Sequence, residues 1–166
     1  MMDKAIGWIG TGIMGNPMVL HLLNAGYKVN VNNRSKEKTD NLVKEGAVWY
    51  DTPAELTSNS DIVFTIIGYP KDVEAVYFGE HGIFSAVEPG MILVDMTTTK
   101  PSLAVHIFEE AKKQGASSVD APISGGEVGA INGALSVMVG GEKEIVEEIM
   151  PLFETFGKNI VYQVPA

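Results

Sequence analysis

The sequence predicts an α/β fold of the Rossmann type, with helices on both faces of a mainly parallel sheet. Short apolar runs alternate with stretches of helical periodicity along all 166 residues, which is typical of crossover units that build parallel sheets. One run, Asp61 to Gly68, is almost wholly apolar, as expected of a strand buried on both faces. The length suits about one domain, so we expect a single unit over residues 1–166.

The first predicted strand runs from Lys4 to Ile9 and leads through Gly10 into a helix that ends near Gly26. Pro17 falls in the first turn of this helix, where its missing N–H would have had no partner. The remaining predicted strands are Lys28 to Asn32, Ala47 to Tyr50, Asp61 to Gly68, Met91 to Met96, Ser118 to Ala121, Leu135 to Val139 and Asn159 to Gln163.

Helical spacing of apolar residues predicts two later helices. The first contains Leu103, Ala104, Ile107, Phe108 and Ala111 and ends at Gly115. The second contains Ile145, Ile149, Leu152, Phe153 and Phe156 and is kinked or interrupted by Pro151.

Composition excludes several classes of function. The net charge is −9 and the pI about 4.7, so the chain lacks the broad basic surface that a nucleic acid requires. It has no cysteine, which rules out disulfides and thiolate metal sites, and no metal is indicated. Neither a signal peptide nor an apolar stretch of membrane-spanning length is present. We expect a cytoplasmic protein that does not contact membranes.

A glycine pattern follows the first strand. Gly10, Gly12 and Gly15 stand in the order G-x-G-x-x-G between a strand and a helix, where they are expected to permit a tight turn, backbone approach to a diphosphate and close helix packing. The free N–H groups and positive dipole end of the helix favour phosphate. The pattern predicts a dinucleotide site.

The end of the second strand predicts which dinucleotide binds. NAD-binding chains place an acid here to bind ribose hydroxyls, whereas NADP-binding chains place a basic residue for the 2′-phosphate. This chain has Asn33 followed by Arg34, with Ser35 and Lys38 as further donors. A guanidinium binds phosphate bidentately, so NADP(H) is predicted in preference to NAD(H), which remains possible.

A second glycine-rich segment, Asp120 to Ala134, follows the predicted strand at Ser118 to Ala121. Its glycines expose backbone N–H groups, and Ser124 adds a hydroxyl, so together they predict a small nest for an anion. The substrate's acid group would lie there, beside the nicotinamide. A mobile connecting loop is the alternative.

The segments "GWIGTGIMGNPM", "NRS", "DMTTTKP" and "DAPISGGEVGAINGALSVMVGG" together resemble the β-hydroxyacid dehydrogenases. This family includes 3-hydroxyisobutyrate dehydrogenase and tartronate semialdehyde reductase, and is related to 6-phosphogluconate dehydrogenase. The resemblance implies a substrate-carboxylate clamp formed by Ser124, Gly125 and Gly126. It implies cofactor contacts from Gly10, Gly12, Ile13, Met14, Gly15, Asn33, Arg34, Ser35, Tyr69, Pro70 and Thr98. Ala134 replaces a frequent threonine, which removes one possible hydroxyl contact.

The family's catalytic lysine belongs to a glycine-led helix that enters a second, all-helical domain. No position here matches that motif, so no catalytic residue is assigned, and the fragment is expected to bind cofactor without turnover. His21, His81 and His106 are expected to be surface or packing residues. Lys100 is expected to start a helix before Pro101. Asp95 and Asp120 are expected to bind turn N–H groups.

The full-length protein is therefore expected to be a homo-oligomeric, NADP-dependent enzyme that interconverts a 3-hydroxyacid and its semialdehyde. Two alternatives stay open at this point. One is the cofactor domain of a 6-phosphogluconate dehydrogenase, and the other is a non-catalytic module that senses nucleotides.

Overall fold

The computed structural model describes residues 3–68, 70–97 and 100–163. Nine strands lie in this described part: β1 (Ala5–Ile9), β2 (Lys28–Asn32), β3 (Val48–Trp49), β4 (Ile62–Thr65), β5 (Ile92–Asp95), β6 (Ser117–Asp120), β7 (Ile123–Ser124), β8 (Leu135–Gly140) and β9 (Gly157–Gln163). Its α-helices are α1 (Gly15–Asn24), α2 (Asp40–Lys44), α3 (Pro53–Ser58), α4 (Pro70–Phe78), α5 (Pro101–Lys113), α6 (Gly126–Asn132) and α7 (Lys143–Phe153). Short 3₁₀ turns occupy Lys36–Thr39 and Ile83–Ser85.

The strands form one sheet in the order β3-β2-β1-β4-β5-β6-β8-β7, with β9 paired to β8. Strands β1 to β6 are parallel, β8 runs antiparallel to β6 and β7, and β9 is parallel to β8. The chain leaves β1 toward β2 and later returns on the other side of β1 with β4. Ligands bind at such a switch in α/β sheets, outside the carboxyl ends of the strands.

Helices cover both faces of the sheet, as the sequence predicts. Alternate side chains of the central strands enter two separate apolar clusters: Trp8 and Phe64 belong to one, and Ile9 and Val63 to the other. Trp8 is fully buried and stacks on Phe64 with ring centroids 5.1 Å apart. This aromatic packing lies directly below the carboxyl end of β1 and supports the loop that follows.

The predicted strands are all present, although several bounds differ. The run at Asp61 to Gly68 contributes only Ile62–Thr65 to β4, because Ile67 donates its backbone N–H to the Thr97 hydroxyl, at 2.8 Å, rather than to a neighbouring strand. Helix α7 continues through Pro151 and ends at Phe153. Since Pro151 lies in the last turn, its missing N–H affects a single hydrogen bond near the helix end.

The structure differs most from the sequence prediction in the second glycine-rich segment. Part of that segment forms the seven-residue helix α6, preceded by the two-residue strand β7. Gly129 is buried within α6, and a Cβ there would lie 3.2 Å from Leu135 Cδ2. This glycine therefore allows the helix to pack closely on β8, a role that composition alone does not distinguish from loop mobility.

Candidate functional site: the carboxyl edge of the sheet

The glycine loop begins at Gly10, immediately after β1. Gly10 has φ +105°, and a Cβ at this position would overlap the carbonyl oxygen of Ile66. Its N–H donates to the Asn32 carbonyl at 3.0 Å, so the turn is tied to the end of β2. Only glycine fits this turn without strain.

Gly12 and Gly15 differ sharply in their surroundings. A Cβ on Gly15 would overlap the Gly10 carbonyl oxygen and approach Trp8 Nε1 to 3.0 Å, whereas a Cβ on Gly12 would meet no atom within 4 Å. Gly12 also lies outside the left-handed region. The protein itself therefore does not require glycine at position 12, which leaves room for a group outside the protein. The neighbouring residue Ile13 is 68% exposed.

The side chains of Trp8 and Asn33 hold the glycine loop in place through hydrogen bonds. Trp8 donates its indole N–H to the Gly10 carbonyl at 2.9 Å. The Asn33 side chain accepts from the Thr11 N–H at 2.9 Å and donates to the Ser35 carbonyl at 3.0 Å. Asn33 thus uses its carboxamide to join the ends of β1 and β2, in addition to the ribose contact that the sequence predicts for it.

Helix α1 presents an uncapped N-terminus to this loop. Met14 occupies the N-cap without a side-chain cap bond, and the first turn carries no acidic residue. The first N–H groups of a helix lack intrahelical partners and carry the positive end of its dipole. An uncapped helix start beside the open space at Gly12 is an arrangement that favours binding of an anion such as a diphosphate.

The basic residues at the end of β2 are exposed. The Arg34 side chain is 87% exposed, and its Nη1 lies 3.7 Å from Asp72 Oδ2 in the first turn of α4. Lys38 is also exposed, and its backbone carbonyl accepts from the Asn16 side chain at 3.0 Å. Lys36 Nζ lies 5.5 Å from the centre of the Trp49 ring. Arg34 is thus accessible to a ligand phosphate.

Two other predicted contacts, Tyr69 and Thr98, lie outside the described residues. Pro70 begins α4. Lys100 is the N-cap of α5, with Pro101 in the first position, which confirms that Lys100 starts a helix. It is exposed and is followed directly by that helix, so its position gives no indication of a catalytic role.

Acidic side chains lie side by side at the ends of β5 and β6, where Asp95 pairs in register with Asp120. Asp95 accepts from the Thr97 N–H at 2.9 Å, confirming that it binds a turn N–H.

Partial burial and the charge of Asp95 raise the pKa of Asp120 to about 6. Burial also raises the pKa of Tyr77 well above its usual value, and its hydroxyl lies 2.8 Å from Thr65 Oγ1.

The second glycine motif lies at the same edge of the sheet, beyond β6. Ser124 is exposed and pairs with Ser136 across β7 and β8. Gly125 and Gly126 have φ of +130° and +63°, conformations that favour glycine, and a Cβ on Gly126 would meet no atom within 4 Å. The predicted carboxylate clamp therefore stands open to solvent at the start of α6.

His21 joins α1, which follows the first glycine motif, to α6, which lies within the second. Its Nε2 lies 2.9 Å from the Ala130 carbonyl oxygen and 3.0 Å from that of Ile131, at the end of α6. A ring N–H here donates to these two carbonyls, and the Ala130 carbonyl also accepts from the Gly133 N–H at 3.3 Å. His21 is therefore a packing residue, as the sequence predicts. Its hydrogen bond to α6 was not predicted.

Strand order and loop geometry define a dinucleotide-binding domain of the Rossmann type. In the residues that the structure describes, no helix is long and apolar enough to cross a bilayer, and no group of three or more acidic or histidine side chains is placed to hold a metal ion.

Comparison with known proteins identifies the family. Residues 5–164 match the NAD binding domain of 6-phosphogluconate dehydrogenase. The chain is 51% identical over 165 residues to an uncharacterized oxidoreductase, YkwC, of Bacillus subtilis, covering 99% of this chain and 57% of the relative. It is 41% identical over 155 residues to 2-hydroxy-3-oxopropionate reductase of Escherichia coli, covering 93% and 53%. The chain belongs to the β-hydroxyacid dehydrogenase family and is its N-terminal NAD-binding domain.

Solved structures of related proteins have the same fold as this chain. Mycobacterium tuberculosis 3-hydroxyisobutyrate dehydrogenase with L-serine superposes with a TM-score of 0.92 at 26% identity, covering 100% of this chain and 56% of that one. A protein named Psf3, in complex with NADP⁺ and 2-OPP, gives a TM-score of 0.91 at 35% identity, covering 96% and 56%. The chain thus spans about half the length of the proteins it matches.

Proposed function

We propose that this chain is the NADP(H)-binding domain of an oxidoreductase that interconverts a 3-hydroxyacid and its semialdehyde. The observation that carries the proposal is the contrast within the glycine loop. Gly10 and Gly15 are needed for packing, whereas Gly12 faces open space at an uncapped helix N-terminus. An anionic group bound from outside the protein explains both the glycine at position 12 and the lack of a side-chain cap at the start of α1.

The preference for NADP(H) rests on Arg34. Its guanidinium stands exposed just beyond β2, where the adenosine ribose lies in folds of this type. A charge-assisted hydrogen bond contributes about 1.5–3 kcal/mol, so binding of the 2′-phosphate by Arg34 predicts a roughly tenfold to hundredfold preference over NAD(H). Ser35 and Lys38 supply further donors, and Psf3 is a relative whose structure contains NADP⁺.

In the full-length enzyme, Ser124 and the N–H groups around Gly125 and Gly126 hold the carboxylate of the substrate. This places the reacting carbon near the nicotinamide, which accepts or donates the hydride when the cofactor is bound. The hydroxyl proton requires a general base. The family's lysine has no counterpart in these residues, so we propose that a further domain supplies it. A homo-oligomer and a cytoplasmic location remain predictions from the sequence.

Titration of the chain with NADPH and NADH by calorimetry tests this function. We expect tighter binding of NADPH, and the Arg34→Ala variant should reduce the preference at least tenfold while leaving NADH affinity nearly unchanged. Lys36→Ala serves as a matched control, because Lys36 packs over Trp49 instead. Equal binding of both dinucleotides that ignores Arg34 would remove the NADP assignment. No binding of either would remove the function.

A further inference from the structure

We propose that Asp72 is a specificity-determining residue that limits how strongly the domain prefers NADP(H) to NAD(H). This inference rests on the proposed function, because it concerns the same cofactor site. The observation behind it is the ion pair between Arg34 and Asp72, whose Nη1 and Oδ2 atoms lie 3.7 Å apart. Arg34 follows β2 and Asp72 lies in the first turn of α4, so the pair crosses the position proposed for the adenosine end of the cofactor.

The pair is too weak to block Arg34. At 3.7 Å the two atoms are beyond ordinary hydrogen-bond distance, and exposed pairs of this kind contribute little to stability. The Arg34 side chain is 87% exposed and that of Asp72 only 27%. The exposed guanidinium can therefore turn toward an incoming phosphate, whereas the less exposed Asp72 side chain lies against the protein surface in the first turn of α4.

When a 2′-phosphate occupies Arg34, two anions share one cation. Each lies within about 4 Å of the guanidinium, so the phosphate and Asp72 are separated by roughly 8 Å or less, a distance at which like charges repel measurably in dilute salt. NAD(H) has no phosphate at this position and escapes the repulsion. Asp72 thus weakens NADP(H) binding selectively, while Arg34 strengthens it.

Removing the charge tests the inference. We expect the Asp72→Asn variant to bind NADPH about threefold to fivefold more tightly at low ionic strength, with less than a twofold gain in 0.5 M salt. NADH affinity should change by less than about twofold in either buffer, because the affected phosphate is missing. The 2′,5′-ADP and 5′-AMP pair should reproduce the difference, because these probes carry only the adenosine end of the two cofactors.

Further variants separate this role from a general change in charge or folding. Glu74→Gln removes the same charge from the same helix at an exposed position and should leave the NADPH-to-NADH ratio unchanged. Asp72→Glu keeps the charge and should restore the wild-type ratio. In an Arg34→Ala background, Asp72→Asn should still favour NADPH, by removing repulsion alone. Thermal melts of each variant confirm that it is folded.

The binding measurements distinguish a failure of the Asp72 inference from a failure of the proposed function. If wild-type chain binds NADPH and NADH but Asp72→Asn leaves their ratio unchanged or weakens NADPH, the inference is wrong and the proposed function stands. If Glu74→Gln shifts the ratio as much as Asp72→Asn, the effect is one of net charge and the inference is also wrong. If wild-type chain binds neither dinucleotide, the proposed function and this inference fall together.

Discussion

Replacing Gly12 or Gly15 by alanine should separate ligand binding from packing. In Gly15→Ala the new Cβ overlaps the Gly10 carbonyl oxygen, so helix α1 must shift away from the loop. Overpacking of this kind costs about 1–3 kcal/mol, which lowers the melting temperature by roughly 3–10 °C in a domain of this size. We expect a loss of stability, because Gly15 packs directly against the turn at Gly10.

Gly12→Ala should behave in the opposite way. Its Cβ meets no protein atom within 4 Å, and its φ is not in the left-handed region. Stability should therefore stay within about 0.5 kcal/mol of wild type or rise slightly, because alanine restricts the unfolded chain. We propose that the diphosphate approaches the backbone at this position, so NADPH affinity should fall roughly tenfold to hundredfold as one charge-assisted hydrogen bond is lost.

Urea denaturation followed by circular dichroism measures the first quantity, and calorimetric titration with NADPH measures the second. Gly140→Ala is a suitable control, because its Cβ would make only an ordinary contact, 3.8 Å from the Asp120 carbonyl oxygen. A Gly12→Ala variant that binds NADPH as tightly as wild type, or that is destabilised as much as Gly15→Ala, would contradict these roles.

Two further residues have measurable roles at this edge of the sheet. His21→Ala should lower the free energy of unfolding by about 0.5–1.5 kcal/mol, because the Ala130 and Ile131 carbonyls lose the His21 donor while Ala130 keeps the bond from the Gly133 N–H; His21→Asn should recover part of it in urea denaturation, and an unchanged alanine variant would contradict the assigned bond. The folded-state pKa of Asp120 is raised to about 6 from an ordinary value of 3.8, so its contribution favours the folded state most below pH 4 and declines as the pH rises through 6. Asp120→Asn should therefore gain stability relative to wild type between pH 4 and pH 7, by about 1 kcal/mol at most since the side chain is partly exposed; a difference that is constant with pH would rule this out.

The first glycine motif was largely predictable from sequence, because its information is local. An apolar run followed by G-x-G-x-x-G and a helical pattern indicates a strand, a tight turn and a helix, and each is present. The sequence also predicts a separate role for each glycine, and the structure confirms the tight turn at Gly10 and the close packing at Gly15. The atoms that these two glycines approach, which belong to Ile66, Trp8 and Gly10 itself, could not be predicted, because their positions follow only from the assembled sheet.

The second motif was less predictable, because its structure depends on distant contacts. Glycines disfavour helix, yet Gly129 and its neighbours form α6, where packing on Leu135 compensates. The bond from His21 to Ala130 spans 109 residues along the chain, and no local pattern announces it. Asn33 was predicted from its position as a ribose contact, whereas its carboxamide also braces Thr11, a role that its paired donor and acceptor permit.

The most direct test of the central claim is a crystal structure of the chain grown with NADPH. We expect diphosphate oxygen atoms within hydrogen-bond distance of backbone N–H groups from Gly12 to Met14, with the 2′-phosphate against Arg34. A nucleotide bound elsewhere, or a diphosphate that makes no contact with this loop, would contradict it.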